Sequence, residues 1–122
     1  NAIIDTVTVS GHGYDDSDNF TSTDKLYLLS TAEVWAQGSS NTIDYDTARD
    51  NTRQLDYYKN LNTDTVNYSP AIKNNGTSAA LWWLRAAISN TDDDFLYVDN
   101  DGNWSNNGAY NTSGVFPAFR IG

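Results

Sequence analysis

Residues 95–111 read "FLYVDNDGNWSNNGAYN", and the way this stretch turns back on itself decides the fold. Asp101-Gly102, between "FLYVDN" and "NWSNN", is the dipeptide favoured at the centre of a type I′ turn, where both residues take positive φ. A two-residue loop there pairs Asn100 with Asn103, Asp99 with Trp104, Val98 with Ser105 and Tyr97 with Asn106. Side chains alternate along strands, so this register puts Leu96, Val98, Ser105 and Asn107 on one face and Phe95, Tyr97, Asp99, Trp104 and Asn106 on the other. The aliphatic pair is expected to face the core, leaving an aromatic and amide-rich ladder outside. The competing reading packs Tyr97 and Trp104 under a neighbouring loop.

A metal loop is the other reading of the same residues. "DNDG" looks like the opening of a calcium loop, but that loop needs a glutamate at its twelfth position, which counting from Asp99 is Tyr110. The hairpin explains the stretch better. Asp15, Asp16 and Asp18 beside His12 offer hard oxygen ligands, yet a solvated loop is the simpler reading, and adjacent Asp92, Asp93 and Asp94 cannot all point at one ion from a strand. Neither a metal nor a cofactor is expected.

Working outward, "AALWWLRAAI" (79–88) is the most apolar segment, and its aromatic pair and flanking turn signals favour a strand. On a strand, adjacent Trp82 and Trp83 point to opposite faces, and core packing is the preferred role for both. Arg85 is expected to pair with an internal carboxylate. Upstream, "AIIDTVTV" (2–9) alternates like a strand, residues 10–24 form a polar loop, and "KLYLLS" (25–30) has strand character. Ser30 and Glu33 stand three apart as a capping box opening a short helix. The stretch 46–61 is helical or irregular, Pro70 forbids helix through "NYSPAI", and "KNNGTS" (73–78) is a turn.

The 122 residues make one domain with one modest core. With no cysteine there is no disulfide, thiolate nucleophile or cysteine-based zinc site, and with no methionine the chain is expected to be a piece of a longer protein. A net charge of -9 with only 7 Lys and Arg argues against a nucleic-acid surface. No apolar stretch approaches the ~20 residues that cross a bilayer, so direct membrane insertion is not expected. Aspartate-, asparagine- and threonine-rich composition suits a loop-rich secreted domain.

"DKLYLLSTAEVW", "LWWLRAA", "FLYVDNDGNWS" and "GVFPAFRIG", in that order, resemble a family of bacterial surface domains of unknown function. Its members carry a "DK-aromatic-LLS-x-x-E-V" segment, a "WWLRS" strand, a "Y-V-x-x-DG" hairpin and a closing "GVRPA" segment. That family in turn resembles the C-type-lectin-like fold in its formylglycine-generating-enzyme-like branch. The resemblance runs from about Asp24 to the C-terminus. It implies an α+β, C-type-lectin-like, loop-rich fold with short antiparallel strands, a C-terminal hairpin and one or two short helices. It also implies that residues 1–122 are a single domain forming the C-terminal portion of a longer lectin-like module. The family's "LRS" is "LRA" here, and Phe116 stands where "GVRPA" has arginine, so a buried ion pair of that arginine is lost or re-routed to Arg120.

In lectin-like folds of this branch the C-terminal hairpin and loops form the ligand surface, and some relatives are targets of diversity-generating retroelements. Mapped here, the resemblance implies a ligand-binding set of Tyr97, Asp99, Trp104, Asn106, Asn107, Tyr110 and Asn111. Tyr and Trp offer rigid contact area while Asn and Ser adapt their hydrogen bonds, as in paratopes. The expected function is non-catalytic binding of a glycan or protein ligand, extracellular or at a cell surface, within a longer chain. The alternative is a structural spacer or subunit-contact domain. An enzyme is not expected: His12 has no nucleophile signature near it, G-x-S-x-G, H-E-x-x-H and P-loop motifs are absent, and no spacing selects a pair of aspartates.

Overall fold

The computed structural model describes residues 2–5, 8–9, 21–36, 53–88 and 93–119. Its framework is a four-stranded sheet of order β2-β6-β7-β8, built from β2 (Thr8–Val9), β6 (Trp82–Ile88), β7 (Asp94–Val98) and β8 (Trp104–Gly108). β2 runs parallel to β6, and the other pairings are antiparallel. Two smaller antiparallel pairs flank it: β1 (Ala2–Asp5) with β3 (Thr21–Asp24), and β4 (Lys73–Asn74) with β5 (Ala79–Ala80). With the short helices α1 (Thr31–Val34) and α2 (Asp56–Asn60), this is a small α+β domain.

α1 forms where the capping box predicts. The Glu33 N–H donates to Ser30 Oγ at 3.3 Å and the Ser30 N–H donates to Glu33 Oε2 at 2.9 Å, satisfying two otherwise orphaned donors. It lasts one turn because Trp35 becomes extended and Ala36 enters a bridge with Asp64. Pro70 sits at the start of a 3-10 turn, Ser69–Ala71, where its missing N–H costs nothing. Asn75 to Ser78 turn the chain between β4 and β5, with Gly76 at positive φ.

Three expectations shift. Thr21–Asp24, read as loop, is a strand, because β1 supplies the backbone partners that its polar side chains do not advertise. "KLYLLS" is not a regular strand: Tyr27 makes an isolated bridge to Ala118, exchanging hydrogen bonds of 3.0 and 2.7 Å with it. Of the stretch 46–61, the described part is helical only at Asp56–Asn60. The acidic cluster Asp15, Asp16 and Asp18 with His12 lies outside the described residues, as does Arg120.

The core lies on the Trp82, Leu84, Ala86 face of β6 and the Leu96, Val98 face of β7, with Leu29, Val34, Trp35, Tyr58 and Ala71 packed against them. Trp82 is wholly buried and donates its indole N–H to the Ala71 carbonyl at 3.1 Å. Arg85 meets Glu33, as expected of an internal pair: Nη1 lies 2.8 Å from Oε2, Nη2 lies 3.5 Å from Oε1, and Nη1 also donates to the Leu28 carbonyl at 2.9 Å. The "LLSTAEV" and "WWLR" segments are therefore joined by this ion pair and by hydrogen bonds from Arg85 to the Leu28 and Leu29 carbonyls.

The closing "GVFPAF" segment docks on the same strand. Trp83 N–H donates to the Gly114 carbonyl at 3.0 Å and Gly114 N–H to the Leu81 carbonyl at 2.7 Å. Phe116 does not reproduce an ion pair. Its ring meets Trp82 edge-on at 6.2 Å, and Lys73 Nζ stands 5.0 Å from the Trp82 centroid and 5.5 Å from that of Phe116.

Candidate functional site

The hairpin exists, but its turn differs from the expected type I′ geometry. Gly102 N–H donates to the Asp99 carbonyl at 3.0 Å, and Asp99 N–H donates to the Asn103 carbonyl at 2.8 Å. With Gly102 at φ 90°, this is a three-residue loop, Asn100 to Gly102, closed by a glycine bulge. Asp99 Oδ1 accepts from the N–H groups of Asp101 and Asn103, both at 2.9 Å, which fixes the turn from within. Asp99 is thus a turn-forming residue and not a member of the ladder.

The longer loop slips the register by one residue. Val98 pairs with Trp104, Tyr97 with Ser105, Leu96 with Asn106 and Phe95 with Asn107. Such a slip exchanges the faces of one whole strand. Trp104 consequently packs on the core side with Leu96 and Val98, correcting its expected outward placement. Asn106 shares that side, at the exposed strand end, where its Nδ2 donates to Asp94 Oδ2 at 3.1 Å. Burying an indole beside two aliphatic residues outweighs the preference for a shorter turn.

The tip is also anchored. Trp35 donates its indole N–H to the Gly102 carbonyl at 3.1 Å, and a Cβ on Gly102 would overlap the Tyr68 carbonyl oxygen. Gly102 is a buried structural joint, while Asn100 and Asp101 are exposed.

On the outer face the register gathers Phe95, Tyr97, Ser105 and Asn107, and β6 adds Trp83 opposite Tyr97. The Trp83 and Tyr97 rings meet edge-on at 5.9 Å and 79°. Both are half-buried, whereas Phe95 is exposed. The surface is therefore a rigid aromatic strip on regular strands, bordered by a hydroxyl and an amide. Asn107 Oδ1 accepts from Gly108 N–H at 3.0 Å and from Asn111 Nδ2 at 2.8 Å, tying the next turn to the strand. That turn holds up Tyr110, which is 83% exposed.

Of the residues expected to bind, Tyr97 and Asn107 share this face, and Tyr110 and Asn111 lie at the turn that follows it. Asp99, Trp104 and Asn106 are elsewhere. Trp83 was not among the expected site residues; its signal was the strand alternation that sends one of two adjacent tryptophans outward.

A second feature is a cleft of about 330 Å³ lined by residues that include Leu55, Tyr57, Tyr58, Pro70, Ile72 and Lys73. Tyr58 is 3% exposed, and burial, helped by neighbouring Tyr57, pushes its hydroxyl up to about 12. Burial also holds the Lys73 amine below the usual lysine range.

The model of a domain family of unknown function, DUF6273, matches residues 1–122. The chain belongs to this family. No curated protein and no solved structure matches it. Among the described residues no helix is long and apolar enough to cross a membrane.

Proposed function

We propose that this DUF6273 domain is a non-catalytic ligand-binding module of the C-type-lectin-like kind, acting outside the cell or at its surface on a glycan or protein. The contact surface is the outer face of β6, β7 and β8. The observation that carries the reading is the strip of Trp83, Tyr97 and Phe95 beside Ser105 and Asn107, held on paired strands. Aromatic faces supply apolar contact at low entropic cost, and the neighbouring amide and hydroxyl supply directional bonds. The Asn107–Asn111 turn extends this surface to Tyr110.

The test is a glycan and protein-ligand screen with wild type and the variant Phe95→Ser/Tyr97→Thr, followed by affinity and melting measurements. The expected result is a ligand whose binding is lost in the variant. The stability cost should stay near the ~0.5–1.5 kcal/mol of one aromatic pair plus a partly exposed ring. A ligand that binds the variant with unchanged affinity refutes the assignment of this face. No ligand in a broad screen favours a spacer role.

A further inference from the structure

The cleft beside α2 has features that the hairpin reading does not use. Its walls are largely apolar, from Leu55, Pro70 and Ile72 and from the ring of Tyr57, and its volume of about 330 Å³ is that of a small-molecule site. Lys73 and Tyr58 are also among the residues that line it. Lys73 makes no ion pair with any carboxylate of the described residues, and its contacts are with the faces of Trp82 and Phe116. Tyr58, the other of these two, is 3% exposed.

We propose that this cleft binds a small organic acid, its carboxylate paired with Lys73, its apolar body against Leu55, Pro70 and Ile72, and the Tyr58 O–H donating to it. Each element follows from the chemistry of the walls. A partly desolvated ammonium that pairs with no carboxylate of the described residues gains more from an anion than a hydrated one does. Cation–π contact with two rings holds the ammonium in place without neutralising it. Tyr58 keeps its proton to about 12, so at neutral pH it is a donor and not a competing anion. A cationic ligand would meet Lys73 with like charge, and a neutral polyol would leave the ammonium uncompensated while pressing hydroxyls on apolar walls. The net charge of -9 repels anions at long range, but that repulsion is screened beyond about 8 Å at physiological ionic strength.

The experiment is ligand-observed fluorine NMR on the full chain with para-fluorobenzoate and two isosteres of it, para-fluorobenzyl alcohol and para-fluorobenzylammonium. Saturable binding of the benzoate is expected, with both isosteres weaker by about tenfold or more, the order of a hydrogen bond to a charged group. Lys73→Met should abolish that preference, Lys73→Arg should retain it, and Tyr58→Phe should weaken benzoate severalfold while leaving the far-ultraviolet circular dichroism unchanged. Equal affinity for all three probes, no saturation by benzoate at millimolar concentration, or unchanged benzoate binding in a folded Lys73→Met variant overturns the proposal. Should Lys73→Met not fold, the charge preference of the wild-type protein decides alone.

Discussion

Glu33→Gln is the most informative single change, because it removes one charge while keeping the shape and an oxygen acceptor for the cap. The Arg85 and Glu33 side chains are 11% and 4% exposed, with the closest N···O distance 2.8 Å. Charge centres about 4 Å apart attract by about 4 kcal/mol at an effective dielectric near 20. Removing one partner of a buried ion pair typically costs about 3–5 kcal/mol. A domain of this size has roughly 5–15 kcal/mol in total, so a third or more of its stability is at stake. The capping contribution is isolated by Ser30→Ala, worth about 1 kcal/mol. Urea unfolding followed by tryptophan fluorescence reads the effect, since Trp35 and Trp82 are buried in the same core. Adding Arg85→Met to Glu33→Gln should restore part of the loss, giving a coupling energy of about 2 kcal/mol or more. A Glu33→Gln loss below about 1 kcal/mol, or strict additivity in the cycle, would refute the claim that this pair clamps helix to sheet.

Other changes probe the rest of the fold. Gly102→Ala should cost more than about 3 kcal/mol, combining a strained positive φ with overlap on the Tyr68 carbonyl; a melting temperature near wild type would contradict the close packing of Gly102 against Tyr68. Trp104→Ser should destabilise by about 2 kcal/mol or more in urea, since the indole lies on the core face, whereas a solvent-facing indole would cost little. Tyr58 holds its proton more tightly folded, at about 12, than at its ordinary value of 10.0, so stability intact below pH 10.0 should fall as pH rises through 12. The drop amounts to about 2–3 kcal/mol, and Tyr58→Phe should lack it when the two proteins are compared by thermal melting across that window.

Local chemistry was legible in the chain wherever the deciding contacts lie within a few residues. Ser30 and Glu33 form their reciprocal cap three apart, Gly76 turns β4 into β5 and "WWLRAAI" is a strand with one tryptophan in and one out. Even the reversal around Asp101-Gly102 was readable. Its register was not, because two- and three-residue loops differ by less than the burial of an indole, and that burial is decided elsewhere.

What settles the register is remote in sequence. Trp35 reaches the Gly102 carbonyl across 67 positions, and the Tyr68 backbone closes on the same glycine. Arg85 finds its carboxylate 52 residues away, and Lys73 lies over rings from two other segments. The amino-acid order by itself determined the capped helix α1, the turn between β4 and β5 and the alternation along β6, because those depend on backbone preferences and neighbouring side chains. Only the tertiary structure decided which hairpin face is buried, that Trp83 joins Tyr97 outside, and that Tyr58 and Lys73 line one cleft, because burial and charge pairing act on distance in space and not on distance along the chain.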